Sequence, residues 1–170
     1  DRLPGQALMH PKKITFLFDT SASMYRFNGA DGRLRRSAEV AVMLMEALRG
    51  FEAKFDYEIC SHDGDHVINE LVPFGKPPAD EKERLKIVSK MLAAAQYCNS
   101  GDNTLPAIGS ACERVAAAGP ADDRFVFAFS DANFARYGLT SEALGRALRS
   151  QPDVTAVCFF IATFEDEALA

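Results

Sequence analysis

Asp19-Thr20-Ser21-Ala22-Ser23 sets one carboxylate and two hydroxyls at alternate positions, in the pattern D-x-S-x-S. These residues follow directly on the apolar run Ile14-Thr15-Phe16-Leu17-Phe18, so a buried strand is expected to end in a set of oxygen donors. A hard divalent cation such as Mg²⁺ takes oxygen ligands in a near-octahedral shell and keeps several of its waters. A carboxylate with two hydroxyls, two residues apart, supplies part of that shell. The competing reading is a strand-to-helix turn in which Asp and Ser cap backbone groups. The place of the motif at a strand end, and the residues that join it further on, favour the metal.

The elements that must position these donors follow from hydrophobic period. Lys12 to Phe18 reads as a strand buried on both faces. Tyr25 to Gly32 reads as a loop rich in turn residues, and Leu34 to Leu48 as a helix with a broad apolar stripe. Phe55, Tyr57 and Ile59 alternate with Asp56, Glu58 and Cys60, which predicts a strand with one solvated face. Ser61 to His66 then predicts a hairpin turn centred on Asp63-Gly64, with Val67 to Val72 as the antiparallel return strand. Asp80, with Glu83 three residues on, opens a helix whose expected apolar face is Leu85, Val88, Met91, Leu92 and Ala95. Another helix carries Leu105, Ile108, Ala111, Cys112 and Val115 and ends at Gly119-Pro120. Arg124 to Phe129 predicts a buried strand closed by Ser130-Asp131. Thr140 caps a short helix through Leu148, Val154 to Ile161 is the last strand, and Glu165 to Ala170 begins a further helix. The fold class is therefore α/β: a doubly wound, mostly parallel sheet with one antiparallel edge strand and helices on both faces.

In such a sheet ligands bind beyond the carboxyl ends of the strands, where strand order reverses. Asp19 ends the first strand and Asp131 follows the fourth, so the two acids meet if those strands are neighbours. Thr104 stands at the start of the helix before the fourth strand, and its loop Asn99 to Thr104 opens on the same edge. Asp19, Ser21, Ser23, Thr104 and Asp131 then form the candidate metal site. Two alternatives stand beside this: Thr104 serves only as a helix N-cap, or Asp102 takes its role. His62-Asp63-Gly64-Asp65-His66 has the look of a second metal site, but Asp and Gly are what a tight turn demands. Arg26, Arg33, Arg35 and Arg36 read as a solvated helix start.

D-x-S-x-S after a first strand, a Thr in a glycine-containing loop before a helix, and S-D after a later strand together resemble the von Willebrand factor A domain. The five groups are similar to its metal-ion-dependent adhesion site. The resemblance implies that Ser21 and Ser23 bind the metal directly, and that Asp19, Thr104 and Asp131 do so directly or through water. It implies Mg²⁺, with Mn²⁺ and Ca²⁺ as alternatives, and a protein partner that presents Asp or Glu. It also implies a single domain over residues 1–170, with a sixth strand and a final helix that the chain does not reach. SASMYRFNGADGRL, the S-G-D-N-T loop and SDANFARYG are similar to the A domain of a large mitochondrial AAA+ ATPase. That likeness implies recruitment of a substrate or adaptor to the ATPase region of a parent chain, in mitochondria for a eukaryote and in the cytoplasm for a bacterium.

Composition bounds the rest. The 170 residues, 48% apolar and 25% charged, suit one domain with a real core. A net charge of −5 argues against a broad nucleic-acid surface, and no apolar run is long enough to span a bilayer. The chain begins at Asp1 with no signal-peptide pattern and is expected to be cut from something longer. Cys60, Cys98, Cys112 and Cys158 form no C-x-x-C pair and are expected to be free thiols in a reducing compartment. No G-x-x-x-x-G-K-[ST] occurs, so no phosphate-cradling loop is expected. A Mg²⁺-dependent phosphohydrolase of the haloacid-dehalogenase kind is a competing class, but it needs an acid two residues after Asp19, where Ser21 stands. A metal-free scaffold is the third class.

Overall fold

The computed structural model describes residues 10–99, 101, 103–131 and 138–161. The expectations for Asp102, for the residues after Asp131 in SDANFARYG, and for a helix from Glu165 lie outside the described residues. β1 (Lys12–Asp19), β2 (Phe55–His62), β3 (Asn69–Val72), β4 (Arg124–Ser130) and β5 (Thr155–Phe160) form one sheet in the order β3-β2-β1-β4-β5. β1 pairs in parallel with β2 and with β4, β4 with β5 in parallel, and β2 with β3 antiparallel. The expected class is the observed one.

Side chains alternate across β1, which gives the sheet two apolar faces. Ile14, Phe16 and Phe18 join Tyr57 and Ile59 under α3 (Arg33–Leu48) and α4 (Glu81–Tyr97). Leu17 and Cys60 join Val126 and Ala128 under α5 (Thr104–Ala117) and α6 (Ser141–Leu148). Rings on β1, β4 and β5 continue the first face as a cross-strand ladder, with Phe18 stacked on Phe129 at 4.9 Å and Phe129 on Phe159 at 5.2 Å.

Three local expectations are corrected. Tyr25 to Gly32 is not simply loop: α1 (Ala22–Arg26) and α2 (Asn28–Asp31) run through it, and Gly32 ends α2 at φ +69, a conformation glycine adopts without steric cost. β2 has no solvated face. Glu58 and Cys60 are fully buried beneath α5, because Arg114 and Thr15 meet the Glu58 carboxylate. The buried face of α4 is Arg84, Ile87, Met91 and Ala95, while Leu85 and Leu92 are exposed. The aliphatic stem of an arginine covers the place a leucine was expected to fill, and its guanidinium reaches Glu46 at 2.7 Å. The capping expectations hold for α4 and α6: Asp80 accepts from Glu83 N at 2.8 Å and Thr140 from Ala143 N at 3.2 Å. The four cysteines are free thiols.

Candidate metal site

The order β2-β1-β4 places the reversal of strand order between β1 and β4. Both strands run the same way, so their carboxyl ends share an edge of the sheet, and Asp19 and Asp131 share it with them. Local backbone chemistry makes the turn. Thr20 extends the pairing with β2 by one residue, its N–H and its hydroxyl both donating to His62 O, at 2.8 and 2.9 Å. Ser21 N then donates to Asp19 Oδ1 at 2.8 Å, an Asx-type turn that reverses the chain into α1. Met24, fully buried against Leu34 and Ala95, pins that helix down.

Four of the five donors are nearly dry, and Ser23 is half-buried. Asp19 is 2% exposed, Ser21 6%, Thr104 2% and Asp131 7%. Ser21 Oγ and Ser23 Oγ lie 3.0 Å apart, and the Ser21 hydroxyl makes no capping bond to α1. The Ser23 hydroxyl favours the charged form of the Asp131 carboxylate. Burial and then the nearby Asp19 charge push Asp131 above the usual carboxylate range, against the pull of Ser23 and Arg33. The two acids, then, are close enough to repel. Thr104 is the first residue of α5, and its N-cap is Asn103, so the capping alternative for Thr104 is corrected. Its loop is tied to the β2–β3 hairpin: Asn103 Nδ2 donates to Asp63 O at 2.8 Å, and Asn99 donates from N and Nδ2 to Asp65. Gly101 lies so near Gly64 that an added Cβ would stand 3.1 Å from its carbonyl oxygen.

The hairpin itself is a turn. Asp63 is 3% exposed and accepts from Asp65 N, His66 N and Asn69 Nδ2, which occupies its oxygens. His62 belongs to β2 and is buried there.

Two residues were not assigned to the site from sequence. Ser130 Oγ donates to Asp19 Oδ2 at 2.8 Å and so fixes the second oxygen of that carboxylate. Arg33 is not part of a solvated helix start: its side chain is 9% exposed and Nη1 donates to Asp131 Oδ2 at 3.0 Å. Arg35 and Arg36 are exposed as expected. No local pattern marks Arg33 for the site, beyond the helix macrodipole. A helix start favours acids, and an Arg at its first position, just after Asp31, needs a carboxylate to hold it.

No three His, Cys, Asp or Glu side chains among the described residues are placed to hold a metal ion. The donor set here is different, two carboxylates with neighbouring hydroxyls. All-oxygen donors of this kind fit Mg²⁺ better than softer ions.

A strand-end D-x-S-x-S, a strand-end S-D beside it and a sheet of this order define a von Willebrand factor A-type domain, and the chain belongs to that class. It is 41% identical, over 164 residues and 96% of its length, to mouse (Mus musculus) von Willebrand factor A domain-containing protein 8, of which it spans 9%. No family model matches the chain. Solved structures with this fold include a von Willebrand factor type A protein from Catenulispora acidiphila (TM-score 0.57, 14% identity, 88% of this chain and 33% of that one). BatB from Bacteroides thetaiotaomicron gives 0.56 at 15% identity, over 87% of this chain and 65% of that one. The PilB minor pilin from Streptococcus sanguinis gives 0.53 at 14%, over 78% and 31%.

Proposed function

We propose that this domain is a metal-dependent protein-binding module. Asp19, Ser21, Ser23, Thr104 and Asp131 would hold Mg²⁺, and an Asp or Glu of a partner would complete its shell. The observation that carries the reading is the meeting of two buried carboxylates at the β1–β4 reversal, with the paired hydroxyls of Ser21 and Ser23 beside them. Two acids that repel in a dry place are relieved by a divalent cation. Bound there, the metal would supply a Lewis-acidic point that attracts an anion. Ser130 and Ser21 N orient Asp19, and the Ser23 hydroxyl favours the charged form of Asp131.

The likeness to the A domain of a mitochondrial AAA+ ATPase extends the reading to substrate or adaptor recruitment for such an ATPase, in the mitochondrion of a eukaryote. Among the described residues no helix is long and apolar enough to cross a membrane. We do not propose a phosphohydrolase, because Ser21 stands where that chemistry needs a general acid.

Partner capture from cell extract, with and without EDTA, compared between the wild type and Asp19→Ala, tests the proposal. Capture should fail in EDTA and in the variant, and should weaken less when salt is raised, since a coordination bond is screened less than surface ion pairs. Capture that survives EDTA and vanishes at moderate salt would transfer the role to exposed arginines such as Arg35 and Arg36.

A further inference from the structure

Arg33 is the cation already inside this site. It opens α3, where the helix macrodipole disfavours positive charge, and the first turn of α3 contains no acid to offset it. Its guanidinium is held instead by two carboxylates. Nε and Nη2 donate to Asp31 Oδ2, at 2.8 and 2.5 Å, and Nη1 donates to Asp131 Oδ2. The backbone of Arg33 also donates to Asp31 Oδ1 at 2.9 Å, and the guanidinium lies 4.9 Å from the centroid of the Phe27 ring. The fork is thus fixed from three sides, and a side chain so held is not free to swing away at little cost.

Charge then decides what this does. Asp31 and Asp131 flank the guanidinium and Asp19 stands near Asp131, so three carboxylates and one guanidinium formally sum to two negative charges. Arg33 shares the Asp131 carboxylate that a divalent ion would use, and it repels that ion at short range through protein of low dielectric. We propose that Arg33 is a built-in competitor of the metal: it holds the divalent-ion affinity of the site below what its five donors would otherwise give, and so makes occupancy respond to the free metal concentration. The inference rests on the metal-site reading above. Arg33 lies outside the donor set and acts against it. A purely structural role, in which Arg33 only orients Asp131, predicts the opposite sign.

The test is calorimetric titration of Mg²⁺ into the wild type, R33M, R33Q and R33K, with circular dichroism to select variants that remain folded. R33Q keeps an N–H donor for Asp131 without the charge, and R33K keeps the charge without the fork. The neutral variants should bind Mg²⁺ at least about tenfold more tightly than the wild type, with R33K within a few-fold of it. Weaker or unchanged binding in whichever neutral variant folds would overturn the proposal and leave the metal site standing. Binding in the neutral variants alone, with none in the wild type, would support the competition and overturn the module's dependence on Mg²⁺. Binding in none of the proteins would overturn both.

Discussion

At Asp131 two charges of one sign meet in a nearly dry place. Burial and the Asp19 charge together outweigh the pull of Ser23 and Arg33, so the ionised form of Asp131 is disfavoured by its surroundings. Function of this kind is held at some cost in stability. Asp131→Asn should therefore melt no lower than the wild type in EDTA, while losing any Mg²⁺-dependent rise in melting temperature; a large loss of stability in EDTA would show that Arg33 dominates at this position. At Tyr57 burial is the leading cause, with the charges of Glu52, Arg84 and Glu46 behind it. Its ring packs edge-on to Phe16, 6.2 Å between centroids, and burial raises its phenol to about 12. In the unfolded chain the phenol loses its proton near pH 10, so between about 10 and 12 the folded state binds the extra proton. Stability should then fall as pH rises through that window, by about 3 kcal/mol, and Tyr57→Phe should remove that part of the fall. Urea denaturation across the alkaline range measures both. Of these residues Asp19 and Asp131 were legible in the sequence, since each ends an apolar run. Arg33 was not, because a charged residue in a helix's first turn is ordinarily solvated, and only its tertiary partners make it part of the site.

Among the elements, β2 shows best where a period misleads. Its alternation of apolar and polar residues reads as a half-solvated strand, yet its polar face lies under α5. The pattern is right about which side each residue faces and silent about what covers the face. Glu58 is fully buried there, with Thr15 Oγ1 donating to it at 2.7 Å and Arg114 Nη2 at 2.7 Å. Arg114 also reaches Glu70 on β3, so one guanidinium ties α5 to two strands. Removing one partner of such a pair leaves an uncompensated buried charge. Arg114→Met should cost about 3–5 kcal/mol, and adding Glu58→Met should recover part of that loss. A double variant as unstable as the single one would place the cost in packing rather than in charge. Caps, by contrast, were readable, because Asp80 and Thr140 act on neighbours three residues away. The short helices α1 and α2 escaped notice, since Asn28, Gly29 and Asp31 are residues that turns also use.

At the scale of the whole molecule the decisive fact is that β1 and β4 are neighbours. Sequence supplies two acids at two strand ends; only the order β3-β2-β1-β4-β5 turns them into one site. Alternation of strands and helices made the class legible, and right-handed crossovers limit the orders available, but nothing local chooses among those that remain. The same order buries the donors, seats Thr104 at the start of α5 on the same edge, and brings the Asp63–Asp65 hairpin against the loop that carries it. The most direct test is calorimetric titration of Mg²⁺ into the wild type and into Ser21→Ala with Ser23→Ala. Neither hydroxyl caps α1 through its side chain, so the fold should survive the double change. The wild type should bind one Mg²⁺ saturably and the folded double variant none; equal titrations of the two proteins would contradict a metal site at these hydroxyls.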